Sequence, residues 1–87
     1  MKSAVAQIYF ESGESQKGEA LFEELTNHNP TWGWGWIFWA DVYSGFVKTE
    51  NKDYDRAIQM LEQALQIKGL KDRQDVLERL EEVKEEM

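Results

Sequence analysis

Apolar residues recur at three- and four-residue spacing in five segments of the chain, and the residues between those segments are ones that end helices. In the first, Val5, Ile8 and Tyr9 share a face, and the pattern fades near Ser12-Gly13. Leu21, Phe22 and Leu25 mark the second, which must stop by His28 because Pro30 disfavours helix at Asn29. The third carries Trp36, Trp39, Ala40, Tyr43 and Phe46, and Asn51-Lys52-Asp53 breaks it from the next. Ala57, Leu61, Ala64 and Leu65 line the fourth, which ends around Gly69. The fifth begins at a capping-box-like Asp72 and Asp75, with Val76, Leu77, Leu80 and Val83 in one stripe.

No run alternates as a strand would, so the pattern predicts an all-α chain. Short loops between helices predict antiparallel neighbours, that is, helical hairpins stacked on one another. Trp34, Ile37 and Val42 lie off the Trp36/Trp39/Tyr43 face, which makes the third segment apolar almost all round. Such a helix is covered on several sides and belongs in the middle of the stack.

The chain also repeats itself. Trp36-x2-Trp39-Ala40-x2-Tyr43 resembles the W-x2-L-G-x2-Y signature of the tetratricopeptide repeat, with Trp39 in place of the Leu and Ala40 in place of the Gly. Ala57-x3-Leu61-x2-Ala64 resembles that repeat's second helix. An earlier copy runs through Val5-Ala6-x2-Tyr9, then Gly18-x3-Phe22-x2-Leu25, and closes on Pro30. Val5 to Trp39 and Tyr9 to Tyr43 are both offset by the family's 34 residues. The second copy departs by about five extra residues between Tyr43 and Ala57, and by Gly69 where the family has Pro. The resemblance implies an α-α superhelix in one domain, 1–87: repeat one over about 1–32, repeat two over about 33–70, and a capping helix over about 71–86 with an acidic outer face (Glu78, Glu82, Glu85). A second resemblance rests on Asn29 to Trp36, Trp39-Ala40-Asp41-Val42-Tyr43, Asp53-Tyr54 and Asp75 to Leu80. These are similar to the helical-repeat region of bacterial proteins carrying a Cys-rich SEC-C zinc motif, which implies a piece of a longer protein; this chain has no Cys, so the zinc function is not carried over.

Composition narrows the function. With 41% apolar and 31% charged residues the chain has the makeup of a folded domain, although 87 residues bury only about 60–65% of the unfolded surface. A net charge of −7 excludes the basic face that nucleic acid requires. Without Cys, and with His28 as the one histidine, disulfides, thiolate chemistry and His-pair metal sites are excluded; no metal or cofactor is expected. The N-terminal run is too short for a signal peptide and none of the apolar runs approaches a membrane span, so a cytoplasmic protein is expected.

Candidate sites follow from the repeat. The resemblance makes Trp36 and Trp39 packing positions, and turns Trp32, Trp34, Ile37 and Asp41 toward the concave groove, joined by Gln7 and Phe10 of the first copy. For Trp34 the competing reading is plain packing on the fifth helix through Val76 and Leu80. Gly33 and Gly35 match no phosphate-binding loop and are expected to make room for the rings. Asn51, Asp53, Asp55 and Glu62 have calcium-loop spacing, but Arg56 holds the place of the turn glycine, and helix capping by Asn51 or Asp53 is expected instead. The carboxylate clamp of some family members is not matched by Ser3, Gln7, Phe38, Arg73 and Leu77. The expected function is a non-catalytic protein interaction module holding a peptide or helix of a partner in an aromatic groove. A structural module that dimerises through the same face is the alternative, and a small-ligand binder or enzyme the remote one.

Overall fold

A computed structural model describes the backbone of residues 2–44 and 52–86 and the side chains of 5–44 and 52–86. Phe46 and Asn51, used above to place the end of the third helix, and the Ser3 side chain lie outside the described residues. The elements are α1 (Lys2–Glu11), α2 (Ser15–His28), α3 (Gly33–Ser44), α4 (Tyr54–Leu65) and α5 (Arg73–Glu86). Among the described residues there is no strand, only an isolated bridge between Trp32 and Lys71. The fold is all-helical.

The helix ends follow local chemistry. Gly13, at φ +87°, lets the chain reverse at residues 12–14 and return as α2 along α1. Asn29 closes α2 by donating both its backbone N–H (2.9 Å) and its side-chain amide (3.2 Å) to the Leu25 carbonyl, with Pro30 following. Asp53 caps α4 by accepting from the Arg56 N–H at 3.2 Å, as the sequence led us to expect of Asn51 or Asp53. Its own N–H donates to the Tyr43 carbonyl at 2.7 Å, which ties the start of α4 to the end of α3. Arg73 donates from its guanidinium to the carbonyls of Leu65 (2.9 Å) and Ile67 (3.1 Å), satisfying groups left open at the end of α4. At the start of α5 the capping-box expectation is corrected: Asp72 sits at φ +58°, not in the extended conformation of such a cap, and contributes its carbonyl to Val76.

Adjacent helices pack in pairs, α1 on α2, α3 on α4 and α4 on α5, and α3 touches each of the other four. Its centrality is what its all-round apolar character predicted. The Cα trace fills a slab of 33 × 30 × 17 Å, a thickness that fits two layers of helices. Phe22, Ile37, Val42, Leu61, Val76 and Val83 are fully enclosed. Where α3 begins, a methyl group on Gly33 would lie 2.3 Å from the Lys71 carbonyl oxygen, so only glycine lets α3 come this close to the turn before α5.

One helix face differs from its predicted orientation. The face of α1 shared by Val5, Ile8 and Tyr9 is not its inward one: Val5 and Ile8 are exposed, Tyr9 is half-buried, and Ala6 and Phe10 are buried instead. Phe10 reaches between Phe22 (6.1 Å between ring centroids) and Tyr43 (5.7 Å, edge-on). The aromatic ring gains more from burial than the smaller Val and Ile would. Leu77, also assigned to a core stripe, is exposed on α5 while Val76, Leu80 and Val83 are buried.

Candidate functional site

Residues 31–44 hold six of the eleven aromatic residues of the chain. Trp36 and Trp39 are buried. Trp39 stacks on Phe22 (6.0 Å, planes 7° apart) and on Trp36 (5.9 Å, 25°). The indole N–H of Trp36 donates to the Pro30 carbonyl at 3.1 Å, and that of Trp39 to a carboxylate oxygen of Glu19 at 3.3 Å. These two rings are therefore packing elements with satisfied polar tips.

Trp32 and Trp34 behave differently. Both are half-buried, and both lean on the half-buried ring of Phe38, at 6.2 Å edge-on and 5.6 Å tilted. A methyl group on Gly35 would come within 2.8 Å of the Trp32 ring, so this glycine makes room for the ring as the sequence predicted. Trp34 and Phe38, four residues apart, share one face of α3, and the result is a patch of three partly solvent-facing aromatic rings.

Of the six residues predicted to line a groove, the structure leaves Trp32, Trp34 and Gln7 partly open and encloses the rest. Phe10 and Ile37 are corrected to core positions: the first fills the space between α1, α2 and α3, and the second is fully enclosed on the face of α3 that α5 helps cover. Asp41 is buried and ion-paired with Arg79 of α5, which also reaches Glu82 at 3.4 Å. Burial raises the Asp41 carboxyl above the ordinary carboxylate range, against the opposing pull of Arg79. Arg73, aligned with a groove position in the sequence, caps α4 instead.

A polar centre on the opposite side of α3 was not anticipated. Glu19 of α2 accepts from the Tyr43 hydroxyl and from Trp39 with one oxygen, and from the Arg56 guanidinium of α4 with the other. Arg56 also lies 4.9 Å from the Tyr43 ring centroid, a cation–π contact. Desolvation, aided by the Glu19 carboxylate, pushes the Tyr43 hydroxyl up to about 12. Above this bridge a cleft of about 260 Å³ opens between α2 and α4, with Trp36 and Trp39 at its base.

Among the described residues no group of three or more His, Cys, Asp or Glu is placed to hold a metal ion, and no helix is long and apolar enough to cross a membrane. No family model, curated protein or solved structure matches the chain. The functional reading therefore rests on the geometry and on the internal repeat.

Proposed function

We propose that the chain is a non-catalytic interaction module of tetratricopeptide-like build that takes a peptide or helix of another protein on the aromatic face of α3. The observation that carries this reading is the clustering of Trp32, Trp34 and Phe38, three half-buried rings packed on each other at the surface. Large rings held rigid by their neighbours bind at low entropic cost and dominate contact energies at interfaces. The order of helix contacts supports the repeat part of the proposal, since each hairpin packs on the next and α5 ends the series. Beside the aromatic face the charged groups Asp41 and Arg79 are bound to each other, which favours recognition over acid–base chemistry.

Replacing Trp34 by Ala is expected to weaken binding of a partner segment recovered by crosslinking by about tenfold or more, as loss of an aromatic hot spot does. If every recovered partner stays bound, the reading fails.

Self-association is the second reading, and exposure of Val5 and Ile8 on α1 favours it. A small helical domain gains stability by covering such a face with another copy. It requires a molar mass that rises with concentration and falls back on Ile8→Asp.

A further inference from the structure

We propose that the partner segment taken by the aromatic face of α3 is basic, and that an arginine of it rests on Trp34 and Phe38 with its charge met by the acidic edge of α5. The inference rests on that face being the contact surface, and it adds what the partner must carry. Trp34, Phe38 and Asp41 follow at four- and three-residue spacing on α3, and Asp75, Arg79 and Glu82 follow at the same spacing on α5. Residues so spaced form one row along a helix. The two rows lie side by side, because Arg79 of one bonds to Asp41 of the other and reaches Glu82 of its own at 3.4 Å. Where α3 begins the approach is as close, with Gly33 set against Asp72 and Val76. The rings of α3 therefore continue into a band of charge, with three carboxylates to one guanidinium on these rows.

Three observations select a cation. Trp32 meets Phe38 edge-on (69°) and Trp34 meets it tilted (40°), so neither pair is stacked face to face as Trp39 is on Phe22. All three rings are half-buried, and a guanidinium is attracted to the face of such a ring, most strongly to that of Trp. The charge beside them is also unbalanced. Burial raises the Asp41 carboxyl, the Arg79 contact pulls it down, and the negative charge of Glu82 raises it again, which puts Glu82 within electrostatic reach of the pair. Arg79 thus serves two carboxylates, with Asp75 one turn before it. An incoming cation relieves this imbalance, and an incoming carboxylate worsens it. At the Trp32 end Lys71 and Asp72 carry opposite charges, so the excess lies toward Asp41 and Glu82. The third observation is that the molecule builds the same arrangement within itself. Arg56 lies 4.9 Å from the Tyr43 ring centroid while it bonds the Glu19 carboxylate. A partner arginine on Trp34, facing Glu82, repeats that trio between two chains.

The test uses the full chain labelled with 15N and two acetylated, amidated decapeptides of Leu and Arg in a helical pattern. They are identical except that the second has citrulline, which keeps the shape without the charge, in place of Arg. Both are expected to shift the Trp34 indole N–H signal saturably, with the Arg peptide bound about tenfold more tightly at low salt. Asp75→Asn combined with Glu82→Gln is expected to cut that advantage to about twofold. Glu23→Gln combined with Glu24→Gln removes as much charge from exposed positions on α2 and is expected to leave the advantage at about tenfold. Should the α5 variant unfold, the comparison of the two peptides on the native chain still decides. Equal binding of the two peptides at Trp34 would overturn the inference and leave the aromatic face standing as a contact surface. An advantage lost as fully in the α2 variant as in the α5 variant would also overturn it, because the −7 net charge as a whole would then be the attractor. If neither peptide moves the Trp34 signal at millimolar concentration, the reading of the face fails and this inference with it.

Discussion

Val5 and Ile8 of α1 stand 34 residues before Trp39 and Val42 of α3, places that the proposed repeat makes equivalent, yet their fates are opposite. The first pair is 43% and 57% exposed, the second 8% and 0%. Helix α3 is covered on this side because α1 and α2 lie against it, with Phe22 stacked on Trp39. Among the described residues nothing lies on the corresponding side of α1. In a stacked helical architecture, then, burial is decided by whether a neighbour precedes the helix, not by the periodicity of the helix itself.

The sharpest way to break this comparison is to truncate both sides of it. Trp39→Ala should cost about 3–5 kcal/mol, and Val5→Ala no more than about 0.5 kcal/mol, in urea unfolding. Similar losses at the two positions would mean that α1 is covered as α3 is. The other flank of α3 is probed by Gly33→Ala, whose added methyl meets the Lys71 backbone. A loss of about 1–3 kcal/mol is expected, with weakened α5 protection in hydrogen exchange, and an unchanged α5 would show that this approach does not hold the two elements together.

The α2 wall that covers α3 can be sharpened by pH. Because the folded Tyr43 hydroxyl titrates at about 12 against an ordinary 10.0, its neutral form is favoured by folding. Its contribution is fully present below pH 10 and is lost as pH rises toward 12. Ultraviolet titration should show a late phase well above pH 10 that Tyr43→Phe lacks; no such difference would contradict the part-buried Glu19 contact. A local effect is expected away from both flanks: Asp53→Ala removes the α4 cap and should cost about 1 kcal/mol without changing the exposure of α1 or α3.

Much of the fold was legible because helices announce themselves locally. Pro30, Gly13 and Gly69 punctuate the chain, and the run 36–43, apolar but for Asp41, marks its central helix. The inward face of α1 was not legible, since Ala6 and Phe10 on one side and Val5 and Ile8 on the other satisfy helical spacing equally well. Only the neighbouring helices choose between them. The same limit hid the polar centre: Glu19 finds its partners 20, 24 and 37 residues away, and Asp41 finds Arg79 38 residues away. No spacing rule along one helix reaches that far. The repeat resemblance placed all six groove residues together, yet Trp32, Trp34 and Gln7 are partly open whereas Phe10, Ile37 and Asp41 are enclosed.

The claim that the aromatic face of α3 is held open for a different protein is tested most directly by light scattering over a concentration series, with acrylamide quenching of tryptophan emission on the same samples. The account predicts a constant monomer mass and a quenchable share of emission that disappears when Trp32 and Trp34 are both replaced by Phe. A dimer whose emission is protected from quenching until it is diluted would contradict it, because the face would then be closed by a second copy of the chain.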